Sequence, residues 1–256
     1  MASFFITGAS RGFGLALVKE LLALPTSKVS KVIASSRSDS ATLSEVVNGS
    51  SGRAEWVKLD VTDQESIKKA AAETEAKLGG KGLDVLINNA GICEYAFQGT
   101  KSMDNLSSSF LVNVQGVHWV TQAFFPLLEK GQLKKVANIS TTLGSISLAE
   151  HFVSFPGPAY KITKAALNAL TVQWALDHEK EGFTFIALCP GWMKTELGGG
   201  DMADLTAEQG AKASLDIIFN KSQKEVNGKL PKVFVEGWDK PAPGRANVYD
   251  GTNAPW

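Results

Sequence analysis

The stretch AYKITKAAL, residues 159–167, sets Tyr160 and Lys164 four positions apart in a segment patterned as a helix. On a helix that spacing puts both side chains on one face, one turn apart. A free phenol has a pKa of about 10, so at neutral pH it keeps its proton and is a reluctant base. A neighbouring ammonium favours the phenolate, and each tenfold gain in ionisation is worth about 1.4 kcal/mol. Paired in this way, the two groups can move a proton at a reacting oxygen. The competing explanation is a solvated helix face with an aromatic stem, which a lone Tyr-x-x-x-Lys fits equally well. The choice rests on what else the chain carries.

A second such stretch is TGASRGFG, residues 7–14, with glycines at 8, 12 and 14. It follows an apolar run and opens a helical pattern. Glycine in that place allows a tight turn and close backbone approach to a pyrophosphate, which the unpaired N–H groups and dipole of a helix N-terminus attract. The spacing is G-x-x-x-G-x-G rather than G-x-G-x-x-G. Alone it is a weak signal, and between the first strand and first helix of an alternating chain it becomes a good one.

Alternation is what the rest of the chain shows. Strands are expected at 4–9, 31–37, 55–61, 83–91, 134–140, 183–191 and 232–237. Between them lie a helix at 14–24 stopped by Pro25, one over 63–78 opened by a Thr62–Glu65 capping box, and a long apolar one at 110–130. The helix with Tyr160 and Lys164 falls between strands 134–140 and 183–191. Parallel neighbours need crossovers, and near-continuous apolar runs such as DVLIN fit strands buried on both sides. The expected fold is α/β: a single-domain, doubly wound parallel sheet of Rossmann type with helices on both faces, spanning residues 1–256. A glycine-rich polar segment, 197–209, marks a loop over roughly 196–215, and the proline-bearing tail 238–256 reads as irregular.

Composition excludes other classes. The 256 residues are 44% hydrophobic and 20% charged, ordinary for a globular enzyme, and the formal net charge is zero. Nothing there favours nucleic acid or an anionic membrane as partner. No apolar run is long enough to span a bilayer, and the N-terminus lacks the regions of a signal peptide. Two cysteines, Cys93 and Cys189, are too few for a disulfide framework, so a cytoplasmic location is expected. Three scattered histidines make no metal site, and none is expected.

Five motifs in order now carry a resemblance: TGASRGFG (7–14), NNAG (88–91), Asn113 in LVNVQG, Tyr160-x-x-x-Lys164, and PGWMKTEL (190–197). Together they resemble the short-chain dehydrogenase/reductase family over nearly the whole chain. RGFG, GWMKTELGG and the terminal DGTNAPW are most similar to its small carbonyl-reductase branch, with C-factor-like, sniffer-type and norsolorinic acid reductase-like proteins.

The resemblance implies a nicotinamide cofactor. Enzymes of this fold that use NAD place an acid at the end of the second strand, whereas an arginine there accommodates a 2′-phosphate. Here Ser36 stands at the acid's place and Arg37 follows. Arg37, with Arg11 inside the glycine turn, therefore points to NADP(H), through charge-assisted forked contacts. The other possibility is that both are solvated surface arginines. By resemblance, Gly8, Ser10, Arg11, Gly12, Phe13 and Gly14 would hold the pyrophosphate end. Asp60 and Val61 would meet the adenine, and Asn89, Ala90 and Gly91 the adenosine ribose. Pro190, Gly191, Met193 and Thr195 would border the nicotinamide.

The resemblance likewise implies carbonyl reduction with Tyr160 as acid/base, Lys164 as pKa tuner and ribose ligand, and Asn113 supporting a proton-relay water. One departure stands out. The family has Ser-Ser after the fifth strand, and this chain has NISTTLG, placing Thr141 at the catalytic serine. A threonine hydroxyl can still donate to a carbonyl oxygen, though its methyl stiffens and crowds the site. Ser140 or Thr142 is the alternative in a reshaped loop. SISLAEHFVSFPGPA (145–159), with Tyr95, Phe97 and Trp192, suits an apolar wall for a bulky ketone. His151 is a candidate pocket residue, and Cys93 fits best as an inert buried thiol. The expected function is thus NADPH-dependent reduction of a small-molecule ketone or aldehyde by a homo-oligomer. Resemblance to the fungal members implies an aromatic ketone of secondary metabolism. A non-catalytic NADP(H)-binding sensor and an oxidative alcohol dehydrogenase are the rivals.

Overall fold

In a computed structural model of the protein, which describes residues 1–243 and 247–256, burial on both sides of the sheet accounts for the strands. β1 (Ala2–Ile6) is buried at every position. Its successive side chains alternate between two layers: Phe4 and Ile6 enter the core shared with α1 (Gly12–Ala23), while Phe5 enters the opposite one. β2 (Val29–Ser36), β3 (Ala54–Lys58), β4 (Val85–Asn88), β5 (Lys135–Ile139) and β6 (Thr184–Leu188) complete a six-stranded sheet in the order β3-β2-β1-β4-β5-β6. Every neighbouring pair is parallel. Chain order reverses between β1 and β4, the switch point at which such sheets open a crevice beyond their C-terminal strand ends. This is the α/β doubly wound fold that the alternation implies.

The helices follow local signals with informative exceptions. α1 stops at Ala23, just ahead of Pro25, as expected. α2 (Ala41–Asn48) is capped by Ser40, whose Oγ accepts the Leu43 N–H. α3 (Gln64–Leu78) is opened by Asp63 rather than by the expected Thr62–Glu65 box. The Asp63 carboxylate accepts the Glu65 N–H at 2.9 Å, because Asp60 has already taken the Thr62 hydroxyl at 2.7 Å. The long helix expected at 110–130 begins earlier and has three parts. These are α4 (Leu106–Phe110), a π-helical turn at Leu111–Gln115 that holds Asn113, and α5 (Gly116–Glu129). α6 (Pro158–His178) carries Tyr160 and Lys164. α7 (Ala207–Asn220) cuts short the loop expected to reach 215, because Thr206 and Gln209 form a reciprocal capping box.

The strand expected at 232–237 does not form. Leu230–Pro231 (β7) pairs antiparallel with Asn253–Ala254 (β8), after the short helix α8 (Gln223–Val226). Lys232 makes a single parallel bridge to Cys189. The chain then leaves β6: the Val233 N–H still bonds Cys189, but the Val235 N–H turns to the Tyr249 carbonyl. The tail thus competes for this segment, and wins it beyond Val233. Of the tail expected to be irregular, β8 is ordered as a strand, and residues 244–246 lie outside the described residues.

A buried polar ladder fixes the helices that matter for chemistry. Asn88 Nδ2, at the end of β4, donates to Thr121 Oγ1 on α5 at 3.0 Å and to Asn138 Oδ1 on β5 at 2.8 Å. Asn138 Nδ2 in turn donates to Thr171 Oγ1 on α6 at 2.9 Å. Breaking one link leaves a buried polar group unpaired, at a cost of about 1–3 kcal/mol. No described helix is long and apolar enough to cross a membrane.

Candidate active site

At the switch point the glycine turn and NNAG are lashed together. Thr7 Oγ1 accepts the N–H groups of Asn89 and Ala90, both at 2.9 Å. Asn89 Nδ2 donates back to the carbonyls of Thr7 and Gly8 at 2.8 and 3.0 Å. Asn89 is therefore a strut between two loops. Gly8 has φ +68°, and a Cβ there would lie 2.9 Å from Ala90 Cα. At Gly14 a Cβ would lie 2.3 Å from the Gly8 carbonyl oxygen, so only glycine allows α1 to pack so closely.

The first turn of α1 offers its N–H groups outward. Ser40, Asp63 and Thr206 cap their helices with side-chain oxygens, but Arg11, ahead of α1, does not. The Ser10 carbonyl accepts the Ser40 hydroxyl, and Phe13 turns into the core, so Phe13 offers a ligand only backbone. Arg11 is exposed and pairs with Glu196 at 3.3 Å. Lack of side-chain volume at Gly8 and Gly14, with a helix start that no side chain caps, fits a dinucleotide pyrophosphate.

At the end of β2, Ser36 is buried and spoken for. Its hydroxyl donates to the Ser38 carbonyl at 2.8 Å and accepts from Trp56 Nε1 at 2.8 Å. Arg37 is exposed and lies near Asp60. Burial works to raise the Asp60 carboxyl, but the Thr62 N–H and hydroxyl, helped by Arg37, outweigh it and hold the group below its usual value. Val61 packs on α5, where a Cβ at Gly116 would come within 2.7 Å of its carbonyl oxygen.

Asn113, Gly91, Lys164 and Tyr160 converge. Asn113 Oδ1 accepts the Ile92 N–H at 2.9 Å, while its Nδ2 donates to the Ile92 carbonyl at 2.9 Å and to Thr163 Oγ1 at 3.1 Å. It thereby joins the loop after β4 to the helix bearing Tyr160. A Cβ on Gly91 would sit 3.2 Å from Asn113 Oδ1 and 3.9 Å from Lys164 Nζ, so glycine keeps this space open. Lys164 Nζ lies 5.5 Å from the Tyr160 ring centroid and donates to the Ile139 carbonyl at 2.7 Å.

Burial governs the electrostatics of the pair. Burial pushes the Lys164 ammonium down to about 8, with Cys93 opposing. Burial also raises the Tyr160 phenol well above its ordinary value, reinforced by Cys93, Cys189 and Tyr95. Desolvation dominates at the phenol, and the Lys164 ammonium is engaged with the Ile139 carbonyl. The phenol is protonated.

The three hydroxyls after β5 are sorted by their bonds. Ser140 is buried and donates to Asn168 Oδ1 at 2.5 Å. Thr142 is hydrogen-bonded with Cys189. Thr141 Oγ1 accepts the Leu143 N–H at 3.2 Å. Accepting that bond leaves its own proton for another group.

The segment after β6 closes over the glycine turn. Thr195 Cγ2 would lie 3.5 Å from a Cβ on Gly12, and Met193 packs against Gly210 at the start of α7. Gly191, at φ +88°, is bounded by Leu205 and Tyr249. Pro190 is buried, and Trp192 donates its indole N–H to the Gly198 carbonyl at 2.6 Å. On the other side, aromatic rings run from solvent to the phenol. Ring centroids are 5.8 Å apart for Phe97–Tyr95, 5.9 Å for Tyr95–Phe155 and 6.2 Å for Phe155–Tyr160. Phe97 is 82% exposed. His151 is exposed on a short 3-10 turn and is not part of this row. Burial pushes the Cys93 thiol up to about 11, as an inert thiol requires. Sequence reasoning had not singled out Thr163, Asn168 or Tyr249, whose types carry no signal until their partners are known.

With a doubly wound sheet, a dinucleotide-shaped turn at its switch point and a phenol–ammonium pair in the crevice, the site is that of a nucleotide-dependent oxidoreductase. The chain belongs to the short-chain dehydrogenase family, whose model, described as short chain dehydrogenase, matches residues 3–206. It is 32% identical over 263 residues to the short-chain dehydrogenase RED3 of Pyricularia oryzae, covering 98% of this chain and 97% of that one. Among solved structures it is similar to an NADPH-bound carbonyl reductase from chicken fatty liver, at 30% identity and a TM-score of 0.84, covering 100% of this chain and 94% of that one. It is also similar to the carbonyl reductase Sniffer of D. melanogaster, at 27% identity and a TM-score of 0.83, covering 100% of both chains. The protein is an oxidoreductase, and a nicotinamide cofactor goes with the family.

Proposed function

We propose that the protein is an NADPH-dependent carbonyl reductase acting on a bulky, aromatic ketone or aldehyde. The observation that carries this reading is the Tyr160 phenol, held protonated by burial at the inner end of a row of aromatic rings. A carbonyl under reduction gathers negative charge on its oxygen, and a protonated phenol is the form able to supply the proton. An oxidative dehydrogenase needs the phenolate, which burial here opposes.

NADPH, when bound, supplies the hydride. Thr141 donates its uncommitted hydroxyl proton to the substrate carbonyl oxygen, while Ser140 is kept from that role by Asn168. Tyr160 delivers the proton. Lys164 faces the same space beside Gly91, where its ammonium holds the nicotinamide ribose, and Asn113 positions the loop and helix around them. Arg37 and Arg11 take the 2′-phosphate, there being no acid at Ser36 to take ribose hydroxyls. Gly12 and Thr195 lie against each other, and Pro190, Gly191, Met193 and Thr195 would border the nicotinamide. Tyr95, Phe97 and Phe155 stack with the substrate's aromatic part. The likeness to an NADPH-bound carbonyl reductase supports the cofactor. A homo-oligomer built through the helices that begin near Asn113 and Pro158 belongs to the same proposal.

The test is a paired titration of NADPH and NADH that follows quenching of the protein's six tryptophans. Preference for NADPH, lost in Arg37→Ala, is the expected result. Preference for NADH would overturn the assignment of Arg37, and binding of neither would overturn the proposal as a whole.

A further inference from the structure

One stretch has no part in the chemistry proposed so far: NVYDGTNAPW, residues 247–256. In the structure it doubles back onto the segment after β6. Tyr249 is only 4% exposed, and its hydroxyl is used twice. It donates to the Asp204 carboxylate and accepts the Trp192 N–H at 3.1 Å. Asn247 Nδ2 donates to the same Asp204 oxygen at 2.7 Å. The Tyr249 ring covers Gly191, where a Cβ would come within 3.2 Å of it, and stands 5.9 Å from the Trp238 ring.

These contacts all converge on one loop. Asp204 lies next to Leu205, which bonds the loop at both ends of Met193: the Leu205 N–H donates to the Trp192 carbonyl at 3.0 Å, and the Lys194 N–H to the Leu205 carbonyl at 2.8 Å. Tyr249 is anchored from behind, its N–H donating to the Trp238 carbonyl and its carbonyl accepting the Val235 N–H. A fixed ring with a two-sided hydroxyl thus grips both Gly191–Trp192 and the strand of chain paired with it.

We propose that Tyr249, through Asp204, is a latch that holds the 190–198 loop in its cofactor-bordering position. Tyr249 is a positioning residue, acting through Gly191, Trp192 and Met193. Its effect on cofactor affinity rests on the nicotinamide-bordering role proposed above for that loop. Its effect on the loop itself does not.

The experiment uses Tyr249→Phe, which keeps the ring and removes only the hydroxyl. Two readouts are taken on the full chain. The first is limited trypsin cleavage without cofactor, scored at the exposed Lys194 relative to the other lysines. The expected result is faster cleavage at Lys194 with the rest of the pattern unchanged. The second is NADPH affinity from tryptophan quenching, with KM and kcat measured at saturating ketone. Affinity and KM are expected to weaken about tenfold, equivalent to about 1.4 kcal/mol, with kcat within about twofold. Asp204→Ala should reproduce both effects if Tyr249→Phe folds poorly, and Asp204→Asn, which still accepts the phenol proton, should rescue them. Unchanged cleavage at Lys194 would overturn the latch, whatever the affinity. Faster cleavage at every lysine would reduce Tyr249 to a general structural role and overturn it too. Failure of the wild type to bind NADPH would sink the proposed function, while the cleavage result would still decide the latch.

Discussion

Ser140 donates its hydroxyl proton to Asn168 Oδ1 at 2.5 Å, and both residues are buried. That bond commits the proton of the first hydroxyl after β5, and the proposed mechanism assigns the donation to Thr141. Thr141→Ala should lower kcat/KM for a ketone by about 10²-fold, the usual loss of one aimed donor, and Thr141→Ser should restore most of it. Ser140→Ala should leave kcat nearly unchanged and instead lower stability by about 1–3 kcal/mol, since Asn168 is left without its donor. Steady-state rates and thermal melts on the three variants check this, and an inactive, stable Ser140→Ala protein would reverse the assignment.

Arg11 and Glu196 form an exposed ion pair across the mouth of the glycine turn, with side chains 75% and 74% accessible. Such pairs are worth at most about 1 kcal/mol. If Arg11 serves a 2′-phosphate, Glu196 competes for it, so Glu196→Gln should tighten NADPH by up to about threefold. NADH affinity should not move. The gain should shrink as salt rises. Equal tightening of both cofactors would assign the effect to the loop and not to the phosphate.

Lys164 gives a pH signature independent of turnover. Its ammonium is pushed down to about 8 in the folded protein, against about 10.4 in an unfolded chain. Between those values the unfolded chain holds the extra proton, so this group makes stability rise with pH across that window and costs stability below it. From about pH 7 to about pH 9.5 the wild type should gain on the order of 2 kcal/mol relative to Lys164→Met. Denaturant melts at the two pH values measure it. A constant difference would mean that the amine is not titrating in a buried site.

The sheet was legible because its strands advertise burial: FFI and VLIN can be nothing but two-sided strands once helices alternate with them. The glycine turn and the Tyr160–Lys164 pair were legible for the same reason, since their meaning depends on local spacing. What lay out of reach depended on partners distant in sequence. The choice among Ser140, Thr141 and Thr142 turns on Asn168, 28 residues from Ser140, and on Cys189. The strand expected at 232–237 was lost to a tail whose pairing no local pattern announces. Thr62 looked like a cap, but Asp60 claimed its hydroxyl first. The desolvation of Tyr160 and Lys164 was likewise out of reach, since spacing shows proximity and not burial.

The most direct test compares wild type and Tyr160→Phe for NADPH oxidation with a panel of aromatic ketones, with NADPH affinity measured on the same samples. The expected result is wild-type consumption of NADPH and a loss of about 10²–10⁴-fold in the variant, at an affinity within about twofold. A variant that turns over at the wild-type rate would contradict the role of Tyr160 as proton donor.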